Sequence, residues 1–175
     1  FLKRTPLGPL AMGTCRFLNV MMAASSSYQW AFQPFARPQL VVAIALGVYI
    51  IGVTWFARTE ARVSSRWQLS GALGVVNLGF ATLAGLMWTW PGEADFAPSI
   101  ALLLFVAVSV NMRAINVIRN PIPALVQPMI GLFLMNYVTT SAAVVYWHTG
   151  NGTFALATAA LVVPPLILRR WIPMS

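Results

Sequence analysis

The sequence predicts an all-α integral membrane protein of about six transmembrane helices, forming a single domain over residues 1–175. Apolar segments of bilayer length recur along the chain, positive charges fall in alternate gaps between them, and turn-forming residues mark the gaps. The segments are Leu7 to Ser27, Leu40 to Ala57, Leu69 to Trp90, Pro98 to Ile118, Ala124 to Trp147 and Phe154 to Leu168. Each is near the ~20 residues that an α-helix needs to cross a ~30 Å hydrocarbon core. Hydrophobicity is continuous within each run and does not alternate at period two, so helices are favoured over a barrel. The last run is the shortest, and Pro164-Pro165 interrupts it.

The charges orient these segments. Lys3, Arg4, Arg58, Arg62, Arg66, Arg113, Arg119, Arg169 and Arg170 fall on one side of the implied membrane, with Arg37 on the other. That asymmetry is the positive-inside pattern, and it places both termini in the cytoplasm. Glu93 and Asp95 fall on the opposite side. A net charge of +8 in a soluble protein would point to nucleic acid, but 59% hydrophobic and 8% charged residues exclude that class here.

The joints agree with the division. Pro34 and Pro38 precede the second segment, Pro91-Gly92 follows the third, Asn120-Pro121-Ile122-Pro123 separates the fourth and fifth, and Gly150-Asn151-Gly152 precedes the sixth. The tryptophans fall mostly at segment ends, where an amphipathic indole anchors at the headgroup level. Asn77, Gln127 and Asn136 read as interhelical hydrogen-bonders, and Gly71, Gly74, Gly79 and Gly85 as packing points. The chain opens at Phe1 without an initiator Met or a signal-peptide pattern, and reads as the later part of a longer protein.

Arg16 is the sharpest candidate for function. It lies roughly 13 Å along the first helix, where facing lipid would cost ~2.5–3.5 kcal/mol. Met12, Arg16 and Asn19 share one helical face beside Cys15, which suits an anionic headgroup; the alternative is an arginine snorkelling towards the interface. Arg113, Asn116 and Asn120 form a second polar face ending the fourth span, either another wall of the same cavity or a solvated helix end that complements the dipole. The loop holding Arg58, Glu60, Arg62 and Arg66 carries one carboxylate, too few to hold Mg²⁺ alone. The single histidine, His148, and the single cysteine, Cys15, support neither a metal site nor an internal disulfide. Asn151-Gly152-Thr153 matches a glycosylation sequon, relevant only in a eukaryotic lumen.

The opening Phe1-Leu2-Lys3-Arg4-Thr5-Pro6-Leu7-Gly8-Pro9, continuing through Met12-Gly13-Thr14-Cys15-Arg16-Phe17-Leu18-Asn19-Val20, resembles the fifth-helix entry of the UbiA superfamily of intramembrane prenyltransferases. It is most similar to a divergent bacterial branch with Leu-Gly-Pro, Met-Gly, Cys-Arg and Leu-Asn signatures. Tyr49 to Arg66 resembles the sixth helix and the loop after it, and Arg169 to Ser175 resembles the branch's C terminus. The resemblance implies the C-terminal portion of the UbiA helical bundle, in a bacterial inner membrane. It implies transfer of an isoprenyl group from an isoprenyl diphosphate, bound through Mg²⁺, to an aromatic or lipid acceptor. Lys3 and Arg4 match the family's basic pair and would contact the diphosphate, and the matching Arg16 and Asn19 would line the cavity; apart from the resemblance, charge lets Arg58 and Arg62 attract the diphosphate, and helix spacing offers Arg113 and Asn116 as a second cavity wall. Where the family's second aspartate-rich motif falls, this sequence has Glu60 among arginines. These residues alone are expected to be inactive as a transferase. The alternative is an altered relative that binds or moves a polyprenyl lipid without catalysis.

Overall fold

The computed structural model describes residues 7–25, 38–59, 64–90 and 92–171. These residues form α1 (Leu7–Ser25), α2 (Gln39–Phe56), a 3-10 turn (Ala57–Thr59), α3 (Arg66–Thr89), α4 (Phe96–Arg119), α5 (Pro123–Thr149), α6 (Gly152–Ala160) and α7 (Val163–Trp171). The fold is all-α, as the continuous apolar runs require. α2, α3, α4 and α5 are long and apolar enough to cross a membrane. α1 has 19 residues, but Arg16 and Asn19 within it lower its hydropathy. The sixth segment, expected as one span, is two short helices separated at Leu161 and Val162. Pro164 and Pro165 lie in the first turn of α7, where a missing N–H is tolerated, and they bar one unbroken helix from running through.

Local chemistry sets the other boundaries. Pro123 occupies the first turn of α5, and Gly150 ends that helix at φ 62°, the left-handed conformation a non-glycine residue avoids. The side chain of Asn151 accepts a hydrogen bond from the Thr153 N–H at 2.9 Å, so the sequon asparagine caps α6.

The helices pack mainly in chain order: α1 on α2, α2 on α3, α3 on α4, α4 on α5 and α5 on α6, with α2 also reaching α5. Two backbone bonds fix this up-and-down order at opposite ends. At one end the Ser64 N–H donates to the Pro121 carbonyl at 3.3 Å, and at the other the Ala94 N–H donates to the Trp147 carbonyl at 3.2 Å. Arg58, Arg66 and Arg119 therefore gather at one end, called the basic end, and Glu93 and Asp95 lie at the other.

In lipid the hydrophobic effect gives little reason for one helix to choose another, so close packing and polar contacts decide. At the α1/α2 crossing a side chain on Gly13 would meet the Gly47 carbonyl at 2.7 Å; at the α2/α3 crossing one on Gly52 would meet the Val76 nitrogen at 2.7 Å. Gly79 likewise approaches the Ala45 carbonyl, at 2.9 Å. Of the glycines expected to be packing points, Gly79 is one, Gly71 makes only ordinary contact with Trp55, and Gly74 and Gly85 have nothing nearby. The core between α2, α3 and α5 is aromatic, with Tyr49 edge-on to Phe80 at 5.3 Å and Phe56 edge-on to Phe133 at 5.1 Å. Trp147 departs from the anchoring expectation: it is 2% exposed, against Gly92.

Candidate functional site

One mid-span cluster of polar side chains is built from α1, α2 and α5. Arg16 projects from α1 over the ring of Tyr137 on α5, with its guanidinium carbon 5.8 Å from the ring centre. That distance is within cation–π range. Tyr137 in turn lies 6.0 Å from the ring of Tyr49 on α2, whose hydroxyl donates to the Phe133 carbonyl at 2.8 Å. The Phe133 carbonyl anchors Tyr49, Tyr49 flanks Tyr137, and Tyr137 carries the cation. An intramembrane charge marks Arg16 in the sequence but nothing marks either tyrosine, because the spacing of α1 does not tell which residue of a distant helix it meets.

The Arg16 side chain is exposed in this chain, as is Asn19 one turn further along α1. Among the described residues no carboxylate pairs with Arg16. A guanidinium beside an aromatic ring keeps N–H donors in its own plane, the geometry that takes a carboxylate or phosphate through two parallel hydrogen bonds. The chemistry available here is anion capture at membrane depth beside two phenol rings.

Arg113 lies elsewhere. It borders a groove of about 390 Å³ with Val117 of α4, Leu125, Pro128, Met129, Leu132 and Met135 of α5, and Leu166 of α7. At 100° per residue, the α5 residues Leu125, Leu132 and Met135 face roughly opposite to Tyr137. The structure thus separates Arg16 and Asn19 from Arg113 and Asn116, and the second polar stripe is not another wall of the Arg16 cavity. Asn116 is exposed on the Arg113 side of α4, one turn nearer the basic end.

At the basic end the Arg66 guanidinium donates to the Arg119 carbonyl at 3.0 Å, placing a cation on the negative end of the α4 dipole. Ser64, beside it, is 4% exposed. Ser64 and Arg66 thereby tie the start of α3 to the α4–α5 turn. Arg58 stands half-buried in the 3-10 turn after α2. Lys3, Arg4, Glu60 and Arg62 lie outside the described residues.

Comparison with protein-family models, curated proteins and solved structures returns no match for this chain.

Among the described residues no group of three or more His, Cys, Asp or Glu could hold a metal ion. Glu93 and Asp95 sit at the end opposite Arg58 and Arg66. Glu60, the carboxylate that the resemblance offers to Mg²⁺, is not among the described residues.

One further polar contact is built into the bundle. Asn77 of α3 and Asn111 of α4 exchange amide hydrogen bonds at 2.8 and 2.7 Å, and Asn111 also donates to the Ala107 carbonyl at 2.8 Å. Asn77 is an interhelical bonder as expected, whereas Asn136 donates to the Leu132 carbonyl of its own helix. The Asn pair is self-satisfied and holds two helices in register, a structural role.

Proposed function

We propose that this chain belongs to an intramembrane prenyltransferase of the UbiA type, which transfers an isoprenyl group from an isoprenyl diphosphate to an aromatic or lipid acceptor. The observation that carries the reading is Arg16: it lies in the one specific motif of the resemblance, roughly 13 Å into α1, over Tyr137 and with no carboxylate partner among the described residues. A cation at that depth is costly unless it serves an anion or a pathway. The diphosphate is such an anion, and the apolar walls of α2 and α5 suit the chain attached to it.

In this reading Arg16 and Asn19 hold the diphosphate side of the substrate, while Lys3, Arg4, Arg58 and Arg62 attract its charge. Tyr49 and Tyr137 give an aromatic wall. Attraction that is equal in ground and transition states does not accelerate ionisation, so the arginines alone account for binding and not for rate. Glu60, the carboxylate where the family's second motif falls in the sequence, would be this chain's contribution to holding any Mg²⁺.

A second reading rests on one departure. Glu60 stands among arginines where the resemblance leads one to expect paired aspartates, which favours a relative that binds or moves a polyprenyl lipid without transferring it. Radiolabelled prenyl diphosphates, with Mg²⁺ and a panel of aromatic and lipid acceptors, separate the readings when supplied to the whole protein to which these residues belong. Prenyl transfer requires a prenylated product and its loss in Arg16→Leu; the second reading requires binding that Arg16→Leu weakens, with no product. Equal binding by the parent and Arg16→Leu would refute both.

A further inference from the structure

The groove between α4, α5 and α7 faces away from the Arg16 cluster and is not used by the proposed transfer. Its wall is apolar apart from one group. Val117, Leu125, Met129, Leu132, Met135 and Leu166 supply aliphatic surface, and Arg113 supplies the charge. Among the described residues Arg113 has no ion-pair partner. It lies six residues before the end of α4 at Arg119, about 9 Å inside the basic end, a depth that an arginine stem is long enough to span towards the headgroups. Asn116, exposed one turn nearer that end, adds an amide donor.

The dimensions match a single hydrocarbon chain. The volume of about 390 Å³ is within the roughly 300–1,000 Å³ usual for ligand sites. At roughly 30 Å³ per water-sized group it holds about a dozen methylenes, one chain and not two. From Leu125 to Met135 the α5 wall runs about 15 Å along the helix axis, away from the basic end. A cation at the mouth and an aliphatic wall leading inward together specify an amphiphile with an anionic head.

We propose that this groove is a binding site for an anionic phospholipid, with its phosphate on Arg113 and Asn116 and one acyl chain laid along Leu125, Leu132 and Met135 under Leu166. The phosphate accepts charge-assisted hydrogen bonds from the guanidinium, and the chain fills the gap that α4, α5 and α7 leave open. The site is independent of the prenyl-transfer reading, and its test needs no enzyme assay.

The test is native mass spectrometry of the full chain released from vesicles of phosphatidylcholine containing phosphatidylglycerol. The parent should retain one phosphatidylglycerol in preference to phosphatidylcholine. Arg113→Gln should weaken that preference about five-fold, the effect of removing one arginine at a membrane surface, while Arg119→Gln, which removes a cation from the same end outside the groove, should leave it. Met135→Trp, filling the deep end of the groove with Arg113 intact, should lower retention as well. Equal loss in Arg113→Gln and Arg119→Gln would overturn the proposal in favour of diffuse attraction. Unchanged retention in Met135→Trp, or preferential capture of oleate or a prenyl diphosphate supplied in the same vesicles, would also overturn it.

Discussion

The Arg16 guanidinium on α1 stands 5.8 Å from the centre of the Tyr137 ring on α5, although α1 packs chiefly on α2. The pair therefore ties an outer helix to one beyond its immediate neighbour. A double-mutant cycle of Arg16→Leu and Tyr137→Leu, read from unfolding in mixed micelles, should give a coupling of about 0.5–1 kcal/mol. Tyr137→Phe keeps the aromatic face and should retain that coupling. A coupling of zero would remove the contact from the account of the site.

The Asn77–Asn111 exchange predicts a non-additive result. Either single substitution to Leu leaves the other amide short of partners and should cost roughly 1–2 kcal/mol. The double substitution leaves no orphaned amide between α3 and α4 and should recover part of that loss. The same unfolding assay decides the matter, and simple additivity would show that the two amides do not act as a pair.

The helix crossings predict opposite outcomes at two glycines of similar sequence context. Gly52→Ala drives a methyl against the Val76 nitrogen at 2.7 Å and the Ala72 carbonyl at 2.9 Å, backbone groups that cannot rotate away, and should destabilise by about 1–3 kcal/mol. Gly74→Ala meets nothing within 4 Å and should be neutral or stabilising by up to about 1 kcal/mol through helix propensity. Equal melting temperatures for the two variants would contradict the α2/α3 packing.

Gly150 should not tolerate a side chain. Its φ of 62° costs other residues about 1–2 kcal/mol, and a methyl there would also approach the Glu93 carbonyl at 3.2 Å. Gly150→Ala should lower the melting temperature, whereas Gly152→Ala, with open space around it, should not.

These contrasts show which features a sequence can disclose. Continuous apolar runs made the first five helices legible, because crossing lipid leaves the backbone no alternative to helix. The Pro164-Pro165 pair signalled that the sixth run is interrupted, but only the fold places the break at Leu161 and Val162. Spacing put Arg113, Asn116 and Asn120 on one face of a helix, yet not which neighbour that face meets, so their separation from Arg16 emerged only from the packing of α5. For the same reason nothing in the sequence marks Gly13, Gly47 and Gly52 as crossing points. A glycine at a crossing and a glycine facing lipid look alike in one dimension. Arg16 was legible because an intramembrane charge is rare on energetic grounds alone, whereas Tyr137 and Tyr49, ordinary in an apolar segment, were not.

Both binding readings depend on the basic helix ends lying together on one side of a membrane. Accessibility of single cysteines in a Cys15→Ser background measures this directly. Ser65 and Asn120 are exposed at the basic end, and Glu93 and His148 are exposed at the other; Ser64 is too buried to report. A membrane-impermeant maleimide applied to intact cells should label cysteines at 93 and 148, and those at 65 and 120 only after permeabilisation. Labelling of positions 65 and 93 to the same extent in intact cells would contradict the arrangement.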